Sequence, residues 1–531
     1  MKRASFPGVA VIMLVSGCSV GPDFVPPTTP DVARFTRDKI ETIQGGSGSG
    51  TAPSQKLAFG PDIPQRWWGL FHSKSLDELV ADSVANNPTI AAAEAAIRVA
   101  YHLAEAQKGQ YLPQLSATAG PSRNLVSNNT SVSGVLQQNA FQLAANPSPT
   151  TAAFNTPYTL WSAQLNISYV VDIWGQNRRS VEALEAQTDQ QRYQLEAAYL
   201  VLTSNIALAA IQEASLRGQI AAVERVIGIE RDLLGIARQQ QERGQIALGD
   251  VLAQEAALAQ VLALLPPLQK QLDITRDLLT ALAGRLAPDE ISQTFQLRNF
   301  ILPKTLPVSL PSNLVRQRPD IRAAEANLHA ASAEIGVAIA ARLPNISISG
   351  NRGASAMDLA QLLLPGTNFY TIAATATQPL FSGFTLLNRQ RSVEAALKQA
   401  DAQYRQTVIT AFQNVADALH SLQADTRALK ASSYAEITAL KSLDIVKEQF
   451  RKGAVNQLAV LNAQQTYLIA AVSRVQAEGN RLADVAALFM ALGGGWMDIG
   501  LRDQPAEGTS MDRAPAIDGP RNKSWFPSFQ D

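Results

Sequence analysis

The chain of 531 residues has a single cysteine, Cys18, so no intrachain disulfide can form. Its four histidines, His72, His102, His329 and His420, are scattered, and none makes a metal-spaced pair. Neither sign of charge is in excess: Lys+Arg and Asp+Glu balance at 45 each. Nucleic acid or an acidic substrate as the main partner would leave a basic surplus, and none exists. Aromatics are sparse at 6%, and the apolar share comes largely from Ala, Leu and Val, which suit helices packed closely over long stretches. There is no nucleophile elbow, no His-Glu-x-x-His and no phosphate loop, so an envelope hydrolase has no support and no cofactor or metal is expected. The six methionines are too few and too scattered to argue for a soft-metal cargo. Beyond the N-terminus no run reads as long and apolar enough for a transmembrane helix, which leaves strands as the means of crossing a membrane.

What is present begins with an export address. Lys2 and Arg3 form a positive start, Val9 to Val15 a short apolar stretch, and Val15-Ser16-Gly17-Cys18 resembles a bacterial lipobox. Residues 1–17 then form a signal peptide, and Cys18 is acylated as the mature N-terminus. The plainer alternative is an ordinary signal peptide with a coincidental cysteine; the lone cysteine sitting in this one place favours the lipobox. Ser19, not Asp, follows it, which resembles an outer-membrane address. Each buried acyl CH₂ adds roughly 0.8 kcal/mol of membrane affinity. Residues 18–74 read as a lipidated N-terminal segment and equatorial region, with Gly45 to Gly50 a flexible loop. Residues 497–531 are polar and read as a disordered tail.

Between these ends the chain is duplicated. Asn87-Pro88-Thr89-Ile90-Ala91-Ala92-Ala93-Glu94-Ala95 matches Arg318-Pro319-Asp320-Ile321-Arg322-Ala323-Ala324-Glu325-Ala326, and Leu112-Pro113-Gln114-Leu115-Ser116 matches Leu343-Pro344-Asn345-Ile346-Ser347 at the same spacing. Ser180-Val181-Glu182-Ala183 matches Ser392-Val393-Glu394-Ala395, and Arg243-Gly244 matches Lys452-Gly453, at a shorter spacing. The first half therefore carries an insertion, a Ser/Asn/Thr/Pro-rich loop around Asn124 to Pro157. The repeats span 75–287 and 312–496, joined by a Pro-bearing linker at 288–311. Each reads as helix, strand, loop, strand, very long helix, turn, long helix. The first helices are expected over roughly 75–107 and 312–341, and the long ones over roughly 180–243 and 393–452. In the last of these Leu397, Tyr404, Val408, Ala411, Val415, Leu419 and Leu422 recur at helical spacing, a stripe of coiled-coil type. A helix of ~60 residues is a rod of about 90 Å.

The strands alternate. Trp161, Ala163, Leu165, Ile167, Tyr169 and Val171 are apolar, and Ser162, Gln164, Asn166 and Ser168 lie between them. Ile346 and Ile348 against Ser347 and Ser349 repeat the pattern; Ile372, Ala374 and Ala376 against Thr371, Thr375 and Thr377 repeat it more weakly, with the apolar parity clear only on one side. Four strands cannot close a barrel, and open edges in lipid cost several kcal/mol per unpaired group. Several chains must share one barrel, and three chains giving twelve strands is the smallest comfortable answer. The polar rows would line the lumen, with Trp161 and Tyr169 near the lipid boundaries. A soluble sandwich is the competing reading, but it gives no reason to interrupt strands with such helices.

The chain resembles the TolC-like outer-membrane factor family, in its NodT- and OprM-like lipoprotein branch. The residues carrying the resemblance are Cys18-Ser19-Val20-Gly21-Pro22-Asp23-Phe24, Trp67-Trp68-Gly69-Leu70-Phe71, Asn87-Pro88, Leu112-Pro113 with Leu343-Pro344, Pro379-Leu380-Phe381-Ser382-Gly383, and the two Arg/Lys-Gly turns. The resemblance implies a mainly α fold with transmembrane β. A homotrimer forms a 12-stranded β-barrel that continues into a 12-helix periplasmic α-barrel. It implies a passive exit duct in the outer membrane, lipid-anchored, which is not an enzyme. Its partners are a periplasmic adaptor and an inner-membrane pump of the resistance–nodulation–division type. An exit duct for secreted protein, and a lipid-anchored helical scaffold without a pore, remain as alternatives.

In the family the periplasmic tip closes like an iris after the second turn. Leu458 falls where OprM-like relatives place a hydrophobic ring, and Asn462 where they carry Asp, so the acidic ring is neutral here. Asp250, past the first turn, is a substitute acidic ring or only a helix cap, the cap being favoured. Arg243, Gly244, Lys452 and Gly453 form the turns that would face the adaptor, or plain helix–helix turns. His420 reads as a packed or solvated residue, and Trp67 and Trp68 as core residues of the equatorial belt.

Overall fold

A computed structural model describes residues 19–30, 32, 34–38, 40–43, 54–61, 63–125 and 157–495. The signal segment with Cys18, the Gly45–Gly50 run, most of the inserted loop and the 497–531 tail lie outside these residues.

The duplication is visible as structure. The first repeat holds helices α1 (Lys74–Asn86) and α2 (Pro88–Lys108), strands β3 (Gln114–Asn124) and β4 (Tyr158–Val171), then α3 (Gln176–Glu242), α4 (Leu248–Leu262) and α5 (Leu265–Leu282). The second holds α6 (Pro311–Gln317), α7 (Pro319–Ala340), β6 (Asn345–Ala356), β7 (Asn368–Thr377), α8 (Thr385–Arg451) and α9 (Gln457–Ala491). Each of α3 and α8 has 67 residues, about 100 Å of rod.

Each expected first helix is in fact two. Asn87 and Arg318 are extended (φ −74°, ψ 121° and 125°) because a following proline disfavours the helical region, and Pro88 and Pro319 then open the next helix. Asn87 accepts from the Thr89 N–H at 2.8 Å and donates to the Leu282 carbonyl at 2.9 Å. Arg318 holds Asp320 (3.0 and 2.7 Å) and donates to the Ala491 carbonyl at 2.7 Å. At both breaks the side chain before the proline ties its helix pair to the C-terminal end of a long hairpin.

The linker 288–311 contains a strand, β5 (Thr305–Val308), which pairs parallel with β2 (Gln55–Phe59) of the N-terminal segment. With β1 (Thr42–Ile43) they form a small sheet of order β1-β2-β5. Pro307 is tolerated because β5 is an edge. This belt covers the main core, in which Trp67, Phe71, Leu76, Leu79, Phe295 and Phe489 are essentially inaccessible. Trp67 packs on Phe489 with ring centroids 5.8 Å apart, as expected of a core residue.

The second sheet is antiparallel, of order β3-β4-β6-β7, so the two repeats join through β4 and β6. Its register puts Leu115, Ile167, Gly350 and Ile372 in one cross-strand row, and Ser116, Asn166, Asn351 and Thr371 in the next, on opposite faces. The apolar and polar faces run across the four strands with exceptions: Arg123 opposite Thr159 and Arg352 between Leu165 and Tyr370 are charged residues on the apolar face, and Leu160, Val170 and Phe369 are apolar residues on the polar one. Strands of 10 to 14 residues are long enough to cross a bilayer when tilted.

One expectation is corrected. Two helical stretches, Gln176–Glu242 and Leu248–Leu282, are apolar and long enough to cross a membrane by length and composition. Ala/Leu/Val-rich packing faces raise hydropathy as lipid-facing ones do. Over half of the apolar window in α3 is buried inside the chain, but only 17% of that in α4–α5. Leu248, Leu252, Leu262, Leu264, Ile274 and Leu278 are left exposed there, an apolar face suited to a neighbouring helix.

Candidate functional site

Two regions carry chemistry outside the core: the far tip of the helical hairpins, and the foot of the sheet.

At the tip both long helices end alike. Arg243 and Lys452 close the last turn, and Gly244 (φ 71°) and Gly453 (φ 73°) take the left-handed conformation that reverses the chain. The Gln245 N–H returns to the Gln240 carbonyl and the Ala454 N–H to the Gln449 carbonyl, each at 2.8 Å. All four turn residues are exposed. Asp250 accepts from the Ala247 N–H at 3.2 Å, and Asn456 accepts from the Ala459 N–H at 3.1 Å, so each following helix has a side-chain bond at its start. The Asp250 bond stays on its own helix. Leu458 (61% exposed) and Asn462 share an exposed face of α9 one turn apart. The tip thus presents one partly buried carboxylate from the first hairpin and one apolar and one amide side chain from the second.

Behind these exposed groups lies a buried layer that the sequence reading missed. Glu230 of α3, Gln254 of α4, and Gln457 and Gln464 of α9 are all at least nine-tenths buried. Gln254 donates to Glu230, and Gln457 donates to Gln254. Gln464 lies close enough to stabilise the Glu230 carboxylate, although its own amide meets no partner in good hydrogen-bond geometry among the described residues. Burial pushes the Glu230 carboxyl up to about 7, against the opposing pull of the Gln254 and Gln464 amides and of Lys447. The signal was a polar residue inside an apolar stripe: Glu230 between Val226 and Leu233, and Gln464 between Val460 and Tyr467.

At the foot of the sheet, β4 runs into α3 through Asp172, whose carboxylate accepts from the Asn177 and Arg178 N–H groups at 3.1 and 3.0 Å. The N-terminal segment is fastened here. Val20 N–H donates to the Trp174 carbonyl at 3.0 Å. Arg179, 5% exposed, donates to the Val20 carbonyl (3.2 Å), Asp23 (2.6 Å) and Glu182 (2.7 Å). Gly21 (φ 99°) lies so close to Gly336 that a Cβ on Gly21 would meet the Gly336 Cα at 2.5 Å. Phe24 stacks on His329 at 4.4 Å, and His329 Nε2 meets Glu182 at 3.0 Å. Leu112, just before β3, and Leu380, Phe381 and Phe384, just after β7, are exposed apolar side chains at the two edges of the sheet's foot.

A four-stranded sheet with opposed apolar and polar faces and two open edges, carried on paired 67-residue helices, defines a subunit of a shared membrane channel. The chain belongs to the outer membrane efflux protein family, which it matches over residues 79–285 and 310–494. It is 27% identical to the pyoverdine export outer membrane protein OpmQ of Pseudomonas putida, over 81% of this chain and 88% of that one. It is 25% identical to outer membrane protein OprJ of Pseudomonas aeruginosa, over 93% and 97%. Among solved structures, the outer-membrane channel OprN aligns with a TM-score of 0.77 at 23% identity, covering 90% of this chain and all of that one. The outer membrane protein VceC of Vibrio cholerae aligns with 0.72 at 25% identity, covering 82% and 100%. The chain is an outer-membrane channel of an efflux pump with a long periplasmic extension, and its family and fold are those of channels, not enzymes. The channel is a trimer working with a periplasmic adaptor and an inner-membrane pump. Three copies give each open sheet edge a partner strand.

Proposed function

We propose that this trimer is a passive duct for small molecules, with no catalytic step of its own, fed by an adaptor and a pump of the resistance–nodulation–division type. The observation carrying this reading is the mostly polar face of the sheet, with Ser116, Asn166, Asn351 and Thr371 in one row, which suits a water-filled lumen without a tight site for any one cargo. The relatives named for pyoverdine export and toluene efflux support a small-molecule cargo. Cys18 is the acylation site; the residues that follow it, 19 and 20, are fixed where β4 meets α3. Arg243, Gly244, Lys452 and Gly453 meet the adaptor, and Asp250, Leu458 and Asn462 narrow the lumen at the tip.

Reversal potentials of trimers in planar bilayers under a KCl gradient test this reading. Asp250→Asn keeps an acceptor for the Ala247 N–H and removes only the charge. The native channel should prefer cations, and the variant should lose most of that preference. Pores of unchanged selectivity would leave Asp250 as a helix cap alone. Protein that neither inserts nor conducts would overturn the duct.

A further inference from the structure

The buried Glu230 layer sits where the two tip hairpins meet. Apolar packing surrounds it on three sides: Val226, Ile227, Tyr467 and Ala471 above, Leu233, Phe450 and Val460 below, and Leu234, Ala237 and Val251 beside it. A polar layer inside an apolar helix seam fixes how the helices align, because any slip strands its members without partners. Here the members come from both hairpins: Glu230 and Gln254 from the first, Gln457 and Gln464 from the second. Moving α8–α9 away from α3–α4 must break this layer and let water reach Glu230.

We propose that the Glu230–Gln254–Gln457–Gln464 layer is a latch that positions the second tip hairpin against the first, and that ionisation of Glu230 loosens it. The inference rests on the reading of the tip as the gate. Gln254 and Gln457 link the carboxyl to the first residue of α9, one position before Leu458, so the latch acts on the constriction through the start of that helix.

The sign follows from linkage. In the packed state the Glu230 carboxyl is raised from 4.5 to about 7, and in a hydrated, separated state it returns toward its ordinary value. The packed state therefore holds the extra proton between these values. Its advantage is complete below about 4.5, falls as pH rises through that window, and is gone above about 7. Other charges facing the layer do not reverse this. Among the described residues Lys447 of α8 is the one cation acting on it, Glu255 of α4 is paired with Arg238 at 2.6 Å, and Asp250 is engaged with the Ala247 N–H. Arg231 and Asp232 of α3 and Asp444 of α8 point to solvent, and α9 has no charged residue from Gln457 to Ser473.

The test uses full-length trimers in planar bilayers between pH 5.5 and 8.0, with native protein and Glu230→Gln. Native open probability should rise with pH on the order of tenfold. Glu230→Gln, which keeps the shape and the amide contacts but cannot ionise, should stay at the low-pH level throughout. A flat native profile, or an unchanged rise in Glu230→Gln, would overturn the latch. Hydrogen exchange over residues 225–240 and 455–468, corrected for intrinsic rates, reads the latch without current. Exchange there should speed up at pH 8.0 in native protein and not in Glu230→Gln; equal protection in both would overturn the proposal. Inserted trimers that pass no current at any pH would instead count against the duct reading on which the latch rests, with the exchange result still deciding the latch.

Discussion

Replacing Ile167 by lysine is expected to abolish trimer insertion, while Asn166→Lys, one residue away, leaves it intact. The two side chains lie on opposite faces of β4. Ile167 sits in the row with Leu115, Gly350 and Ile372, and Asn166 in the row with Ser116, Asn351 and Thr371. A lysine on the lipid face costs up to about 2–4 kcal/mol, less toward the boundary that Tyr169 marks, and the trimer carries three copies. On the lumen side the same charge meets water, at the cost of only the bond from Asn166 to Thr118 at 3.3 Å. Quantifying heat-modifiable trimers in outer-membrane fractions should show at least a tenfold loss for Ile167→Lys. For Asn166→Lys the trimer yield should be normal and ion preference should shift toward anions. Equal yields for the two variants would mean the faces are assigned wrongly.

Arg179→Met should release the N-terminal segment from the foot of the sheet. The buried guanidinium bridges the Val20 carbonyl, Asp23 and Glu182, and no single-charge replacement spans all three. Asp23 is 90% exposed, so that ion pair contributes little. The larger losses are the bonds to the Val20 carbonyl and to Glu182, together about 2–3 kcal/mol. Limited proteolysis should cut within residues 19–30 far faster in the variant, with the helical core still resistant. Arg179→Lys should rescue only weakly, because lysine lacks the planar fork. A segment that stays protected in Arg179→Met would show that Phe24 on His329 and the Gly21–Gly336 contact hold it unaided.

The sequence revealed the parts governed by short-range pattern. Period-two alternation located β4 and its partners, and the apolar stripe of α8 matches burial, with Tyr404, Val408, Ala411, Val415, Leu419 and Leu422 all buried and Leu397 half-buried. The glycine of each turn marked the tip because reversing a helix requires its positive φ. Long-range pairing was hidden. β5 is a strand only because Gln55–Phe59 lies beside it, and Arg179 has a role only because residues 20–23 return to it. The helix breaks at Asn87 and Arg318 were legible in principle from the prolines, but helical periodicity on both sides masked them. At the tip, Asp250 is the third residue of α4, with Ala247 as its N-cap, and accepts from the Ala247 N–H; behind it lies a buried glutamate, Glu230, that the sequence reading did not single out.

Single-channel recording from purified trimers in planar bilayers tests the central claim most directly, that three copies of this chain close one water-filled passage. Discrete conductance steps carried by the trimer, and lost when it is dissociated, are the predicted result. Trimers shown to be inserted through their strands but incapable of current under any pH or voltage would contradict it.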